Sequence, residues 1–160
     1  MSCSSREEST PGNALSGDGT QSSGIVGTDH GKVGQVWWFA FPALHNVSDD
    51  QISITDVSLV RVPKGIKVLQ YGAYDRNDTE GLPLIALEGD KFTPDFAKLR
   101  NYAKKNVTVP AGKESDIFYA AQLQIVAPPA QSARYCRFSY EQNGRAHTQE
   151  IDCEVQLKAD

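Results

Sequence analysis

Three cysteines, three histidines and a Trp-Trp pair are the residues of this chain with the most chemistry to offer. The histidines are His30, His45 and His147. Asp29-His30 could offer a metal an imidazole beside a carboxylate, and His45 lies past the far end of the following strand. About six extended residues span roughly 20 Å, so those two share an ion only if the chain folds back. Met1 is the single methionine, so the thioether set of copper carriers is missing. A metal-handling protein using His30 or His147 with acidic neighbours is therefore the alternative reading; no metal site and no cofactor are assigned.

Nucleophilic chemistry finds little support. The chain has neither a G-x-S-x-G elbow nor a G-x-x-x-x-G-K phosphate loop. Asp49-Asp50 are adjacent acids in a polar turn, where solvation is the ordinary role. No catalytic residue is assigned, and a non-enzymatic protein is expected. Trp37 and Trp38 are neighbours in "VWWFAF" and point to opposite faces of a strand. Either one ring is exposed as a partner-binding patch, or both are buried, one in the core and one under the segment Thr93–Lys104. Asn46, Asn77 and Asn106 head Asn-x-Ser/Thr triplets, which in a glycosylated extracellular protein would be glycan acceptors in loops.

Cys136 and Cys153 flank Asn143-Gly144, a strong hairpin signal because both residues accept positive φ. Before the turn, Cys136, Phe138 and Tyr140 share a face; after it, Ile151, Cys153, Val155 and Leu157 do. A two-residue loop pairs Cys136 with Ile151 and leaves Cys153 a diagonal step away. A four-residue loop, Asn143 to Ala146, sets the two cysteines directly opposite, and a three-residue loop parts them onto opposite faces. We expect the four-residue loop and a Cys136–Cys153 disulfide, which implies an oxidising compartment. Close Cys or His partners for a zinc site are absent.

The elements that must position these groups read mostly as strands. "ISITDVSLVRV" changes phase between Ile54 and Val57, which predicts a β-bulge near Thr55-Asp56. "IKVLQYGAY" follows the Pro63-Lys64-Gly65 turn, and "LPLIALEG" with Pro83 reads as an edge strand. "VTVPAG" is a further strand and turn, and in "DIFYAAQLQIV" Ile117, Tyr119, Ala121, Leu123 and Ile125 line one face. "FTPDFAKLRNYAKK" breaks the pattern: Thr93 as cap and Pro94 at the first position predict a short helix near 94–104. About seven strands and one small helix make an all-β, antiparallel β-sandwich over 25–160.

Residues 1–24 are rich in Ser, Gly and Thr, and from Ser2 to Gly24 Leu15 is the only bulky apolar side chain, so a disordered tether is expected there. The whole chain has 160 residues, formal net charge −4 and 39% hydrophobic residues. That charge opposes binding to nucleic acid or, by electrostatics, to anionic lipid. No apolar run is long enough to span a bilayer, and no basic-then-apolar leader opens the chain.

Cys3-Ser4-Ser5 followed by a polar tether resembles the mature start of a bacterial lipoprotein, in which the cysteine thiol carries the lipid. The strand run from "LHN" through "ISITDVSLV" and "VTVPAG" to the closing hairpin resembles the immunoglobulin-like domains of secreted bacterial proteins. These resemblances imply a lipid anchor at Cys3 and a location on the outer face of a membrane, or secretion. They imply a binding or assembly module whose partner is a protein or cell-envelope component. A bridge between consecutive strands departs from antibody-type domains, where it crosses between sheets.

Overall fold

The computed structural model describes residues 9–16 and 25–160. Cys3, the expected anchor, lies outside the described residues. Among the described residues ten strands form, where about seven were expected: β1 (Thr10–Pro11), β2 (Ile25–Gly31), β3 (Val36–Ala40), β4 (Ile52–Arg61), β5 (Ile66–Asp75), β6 (Ile85–Leu87), β7 (Val107–Val109), β8 (Ile117–Ile125), β9 (Ala133–Gln142) and β10 (Arg145–Ala159). They make two facing sheets, in agreement with the expected all-β architecture, and the expected antiparallel pairing holds for most strands. One sheet runs β1-β10-β9-β4-β7, with β2 also on β10; the other runs β5-β8-β3-β6. Pairing is antiparallel except for β1 and β2, which both run parallel to β10 along its outer edge.

Alternation places the core. Ile52, Ile54, Val57 and Leu59 are all buried, and the β4 register shifts between Ile54 and Asp56, where the phase change requires it. On β8, Tyr119, Ala121, Leu123 and Ile125 enter the main core between the sheets. Phe118 and Ala120 face the other way, into a smaller cluster on the sheet's outer side. β6 and β7 are the edges beside β3 and β4.

The disulfide joins Cys136 to Cys153, with Cα atoms 5.8 Å apart. The register that brings them together is not the expected one. The loop has two residues: Gln142 pairs with Arg145 and Cys136 with Ile151. Asn143 (φ 53°) and Gly144 (φ 77°) both adopt the left-handed conformations of a tight hairpin. That turn matches the strand twist, whereas a four-residue loop would leave Arg145 and Ala146 unpaired. A register shift between Ile151 and Glu154 accompanies the diagonal approach of Cys153.

The helix expected near 94–104 is replaced by two single 3-10 turns, Phe96–Lys98 and Tyr102–Lys104. Thr93 does not cap; its N–H donates to the Asp90 carbonyl (3.0 Å). Leu99 is extended at ψ 152° between the turns. Asn101 Oδ1 accepts from the N–H of both Ala103 and Ala73, each at 2.9 Å, which ties the segment to β5. This local side-chain bonding competes with a helix ladder and wins.

The tether expected over 1–24 needs correction at residues 9–16; its other residues lie outside the described ones. Ser9–Ser16 forms a strap on the folded body, with Ala14 and Leu15 only 1% and 3% exposed. Gly12 N–H donates to Thr148 O, Val47 N–H to Ala14 O and Ser16 N–H to His45 O. The Gln149 side chain accepts from Leu15 N–H and donates to Leu15 O (2.7 Å), and Ala14 N–H donates to Tyr140 Oη. A Cβ at Gly12 would collide with the Tyr140 hydroxyl, so the close approach needs glycine there. The body supplies the hydrogen bonds that composition could not reveal, and Leu15 joins the main core.

Candidate interaction surface

Trp38 points to the outer side of its sheet and is 3% exposed. Phe96 of the first 3-10 turn stacks on it at 4.3 Å, and Tyr74 meets it edge-on at 5.9 Å. Its Nε1–H donates to Glu88 Oε1 (3.2 Å), which also accepts from Gln122 Nε2 (2.7 Å). Trp37 is half-buried against the main core, its Nε1–H enclosed and without a partner among the described residues. The two rings therefore part to opposite faces, and the segment after β6 covers Trp38. An exposed Trp38 patch does not form. Among the described residues the most exposed large hydrophobic one is Phe92 (84%), with Lys91 Nζ 5.0 Å from its ring centre. It carries no periodic signal, and sequence reading passes it over.

The histidines do not converge. His30 is exposed on β2; His45 is exposed in the loop after β3, bridged through its backbone to Glu114. His147 Nδ1 lies 3.1 Å from Thr10 Oγ1, its ring over Tyr140. Among the described residues no group of three His, Cys, Asp or Glu side chains could hold a metal ion. Asp50 Oδ2 accepts from Asn143 Nδ2 (3.0 Å), so this carboxylate braces the hairpin.

Asn46 is fully buried, and its Nδ2 donates to Asp50 O (2.8 Å) and Val109 O (3.0 Å). Its Oδ1 accepts from Ser48 N–H. A glycan on that nitrogen would break this hub, so the acceptor reading fails at Asn46. Asn77 and Asn106 are exposed. Burial raises the pKa of Tyr74, Tyr119 and Tyr140, so these phenols stay protonated at neutral pH and offer no base.

The two ends of the sandwich differ. At one end lie the β9–β10 hairpin, the strap and the loops around Asn46 and Lys113, joined by Asn46 N–H to Lys113 O (3.0 Å). Asp49, Asp50, Glu114 and Asp116 are exposed there. At the other end, Gly34 N–H donates to Ile125 O (2.7 Å) and Val126 N–H to Gly65 O (2.8 Å). These bonds stitch together three loops that expose Val33 (48%), Val62 (36%) and Val126 (48%). Lys32 and Lys64 stand exposed beside them. Three exposed valines on bonded loops, against Val47 (53%) at the hairpin end, make this end the candidate for a partner.

No family model matches the chain, and no curated protein matches it. Among solved structures, one described as "Structure of Vibrio cholerae VesB protease" aligns at 12% identity and a TM-score of 0.39, over 84% of this chain. The chain spans 30% of that protein's length. A likeness at this level carries no argument about activity. The buried disulfide points to an oxidising, extracytoplasmic compartment. No helix of the described residues is long and apolar enough to cross a membrane.

Proposed function

We propose that this chain is a non-enzymatic, extracytoplasmic binding or assembly module on an immunoglobulin-like sandwich, tethered to the outer face of a membrane through Cys3. The strand orders β5-β8-β3 and β10-β9-β4 correspond to the D-E-B and G-F-C orders of an immunoglobulin domain. The disulfide departs from that pattern, since it joins the last two strands of one sheet. The observation that carries the binding role is the stitched end with Val33, Val62 and Val126 exposed. Its exposed valines, with Lys32 and Lys64 exposed on the same loops, suit a protein partner bearing an apolar patch edged by acids. Photocrosslinking in the native host tests this. A photoreactive residue at Val126 should give a discrete adduct with a protein, and Val33→Asp should abolish it. Adducts no different from those at Lys113, at the opposite end, would defeat the reading.

A further inference from the structure

We infer that the docked strap fixes the orientation of the domain: the hairpin end is held at the bilayer and the valine end is presented away from it. The inference rests on the Cys3 tether proposed above. β1 runs parallel to β10 with Thr10 beside His147, so the chain enters the fold at the hairpin end. From Cys3 to Ser9 there are six residue steps. At about 3.3–3.6 Å each they reach no farther than about 22 Å, whatever their conformation. A tether running free to Gly24 would instead let the domain turn over. The strap forbids this, because Ala14 and Leu15 are buried and their backbone groups are bonded to Tyr140, Gln149 and Val47.

β10 spans Arg145–Ala159. At about 3.3 Å per residue, its far end lies about 45 Å from the hairpin. Val33, Val62 and Val126 are at that far end, where a partner can reach them without meeting lipid. The hairpin end carries no basic excess: Asp49, Asp50, Glu114 and Asp116 are exposed there, the last two paired with Arg76, beside exposed Lys113 and Arg145. Its closeness to an anionic bilayer therefore comes from the covalent link and not from attraction.

Cys3 is the single thiol left once Cys136 and Cys153 are joined. The full-length oxidised protein can thus be coupled through it to phosphatidylcholine vesicles carrying a maleimide-headgroup lipid and a headgroup energy-transfer acceptor. A donor is attached through a keto-bearing amino acid replacing either Lys113, at the hairpin end, or Lys64, at the valine end; both side chains are exposed. Transfer should be several-fold more efficient from position 113. Inserting about 24 Gly/Ser residues after Ser5, which leaves the strap intact, should shrink that difference by lengthening the reach. Equal or reversed efficiencies, or a difference indifferent to the insertion, would overturn the inference. Mass spectrometry of the protein from its native membrane separates the two claims. An unmodified Cys3 defeats the tether and the orientation with it; a lipid-bearing Cys3 with equal transfer defeats the orientation alone.

Discussion

At the scale of single residues, the informative side chains are those with both faces accounted for. Trp38 is stacked, edge-packed and hydrogen-bonded to Glu88. Trp38→Phe should cost about 1–3 kcal/mol in urea unfolding, through lost contacts and the lost hydrogen bond to Glu88. In a Trp37→Phe background, Trp38 emission should resist acrylamide. Leu15 is 3% exposed inside the main core. Leu15→Ala should lower stability by about 2–4 kcal/mol, and a change within about 0.5 kcal/mol would show that the strap does not dock. The buried tyrosines set an alkaline limit. Burial raises the pKa of Tyr119 most clearly, with the negative charge of Asp56 adding to it, and burial raises Tyr74 and Tyr140. The unfolded chain ionises these phenols near pH 10 while the folded chain still holds their protons. Their contribution is complete below pH 10 and is lost as pH rises towards the folded values. Melting temperature should therefore fall from about pH 10 upwards, together with a rise in tyrosinate absorbance on unfolding.

At the scale of elements, two segments owe their conformation to what they cover. The segment with the 3-10 turns seals the outer side of β3, β5 and β8 by inserting Phe96 between Trp38 and Tyr74. It forms a cluster separate from the main core. Phe96→Ala should cost about 3 kcal/mol. Amide exchange should rise over residues 88–104 and at Trp38 while β9 and β10 keep their protection. Uniform loss of protection would mean that the two clusters unfold as one. The strap is the second such segment. Its backbone is bonded to β10 and to the loop after β3 at once, so it closes the main core at the hairpin end.

At the scale of the whole molecule, the bridge fastens the longest strand to the centre of its sheet. It closes a sequence separation of 17 residues. Replacing both Cys136 and Cys153 by alanine should cost about 2–5 kcal/mol. Denatured, unreduced protein should give one thiol per chain with Ellman's reagent, that of Cys3. Three thiols would remove both the bridge and the argument for an oxidising compartment.

Local pattern settled whatever depends on which face a side chain takes. Strand alternation placed Ile117 to Ile125, Cys136 to Tyr140 and Ile151 to Leu157 on their buried faces, because the period of a strand is two and a buried face tolerates no slip. The bulge after Ile54 was legible for the same reason, and so was the pairing of two inward-facing cysteines around one turn. Three features lay beyond local pattern. The hairpin register depended on Asn143 and Gly144 both turning left-handed, since inward-facing cysteines fit a two-residue or a four-residue loop alike. The fate of residues 94–104 was decided by Asn101, whose carbonyl oxygen found Ala73 on a strand 28 positions earlier. The role of Leu15 was decided by Tyr140 and Gln149, more than a hundred residues later. A polar segment satisfies its backbone on surfaces that exist only after the sheets have formed, and so the strap, and the end of the molecule it selects, belong to the tertiary structure.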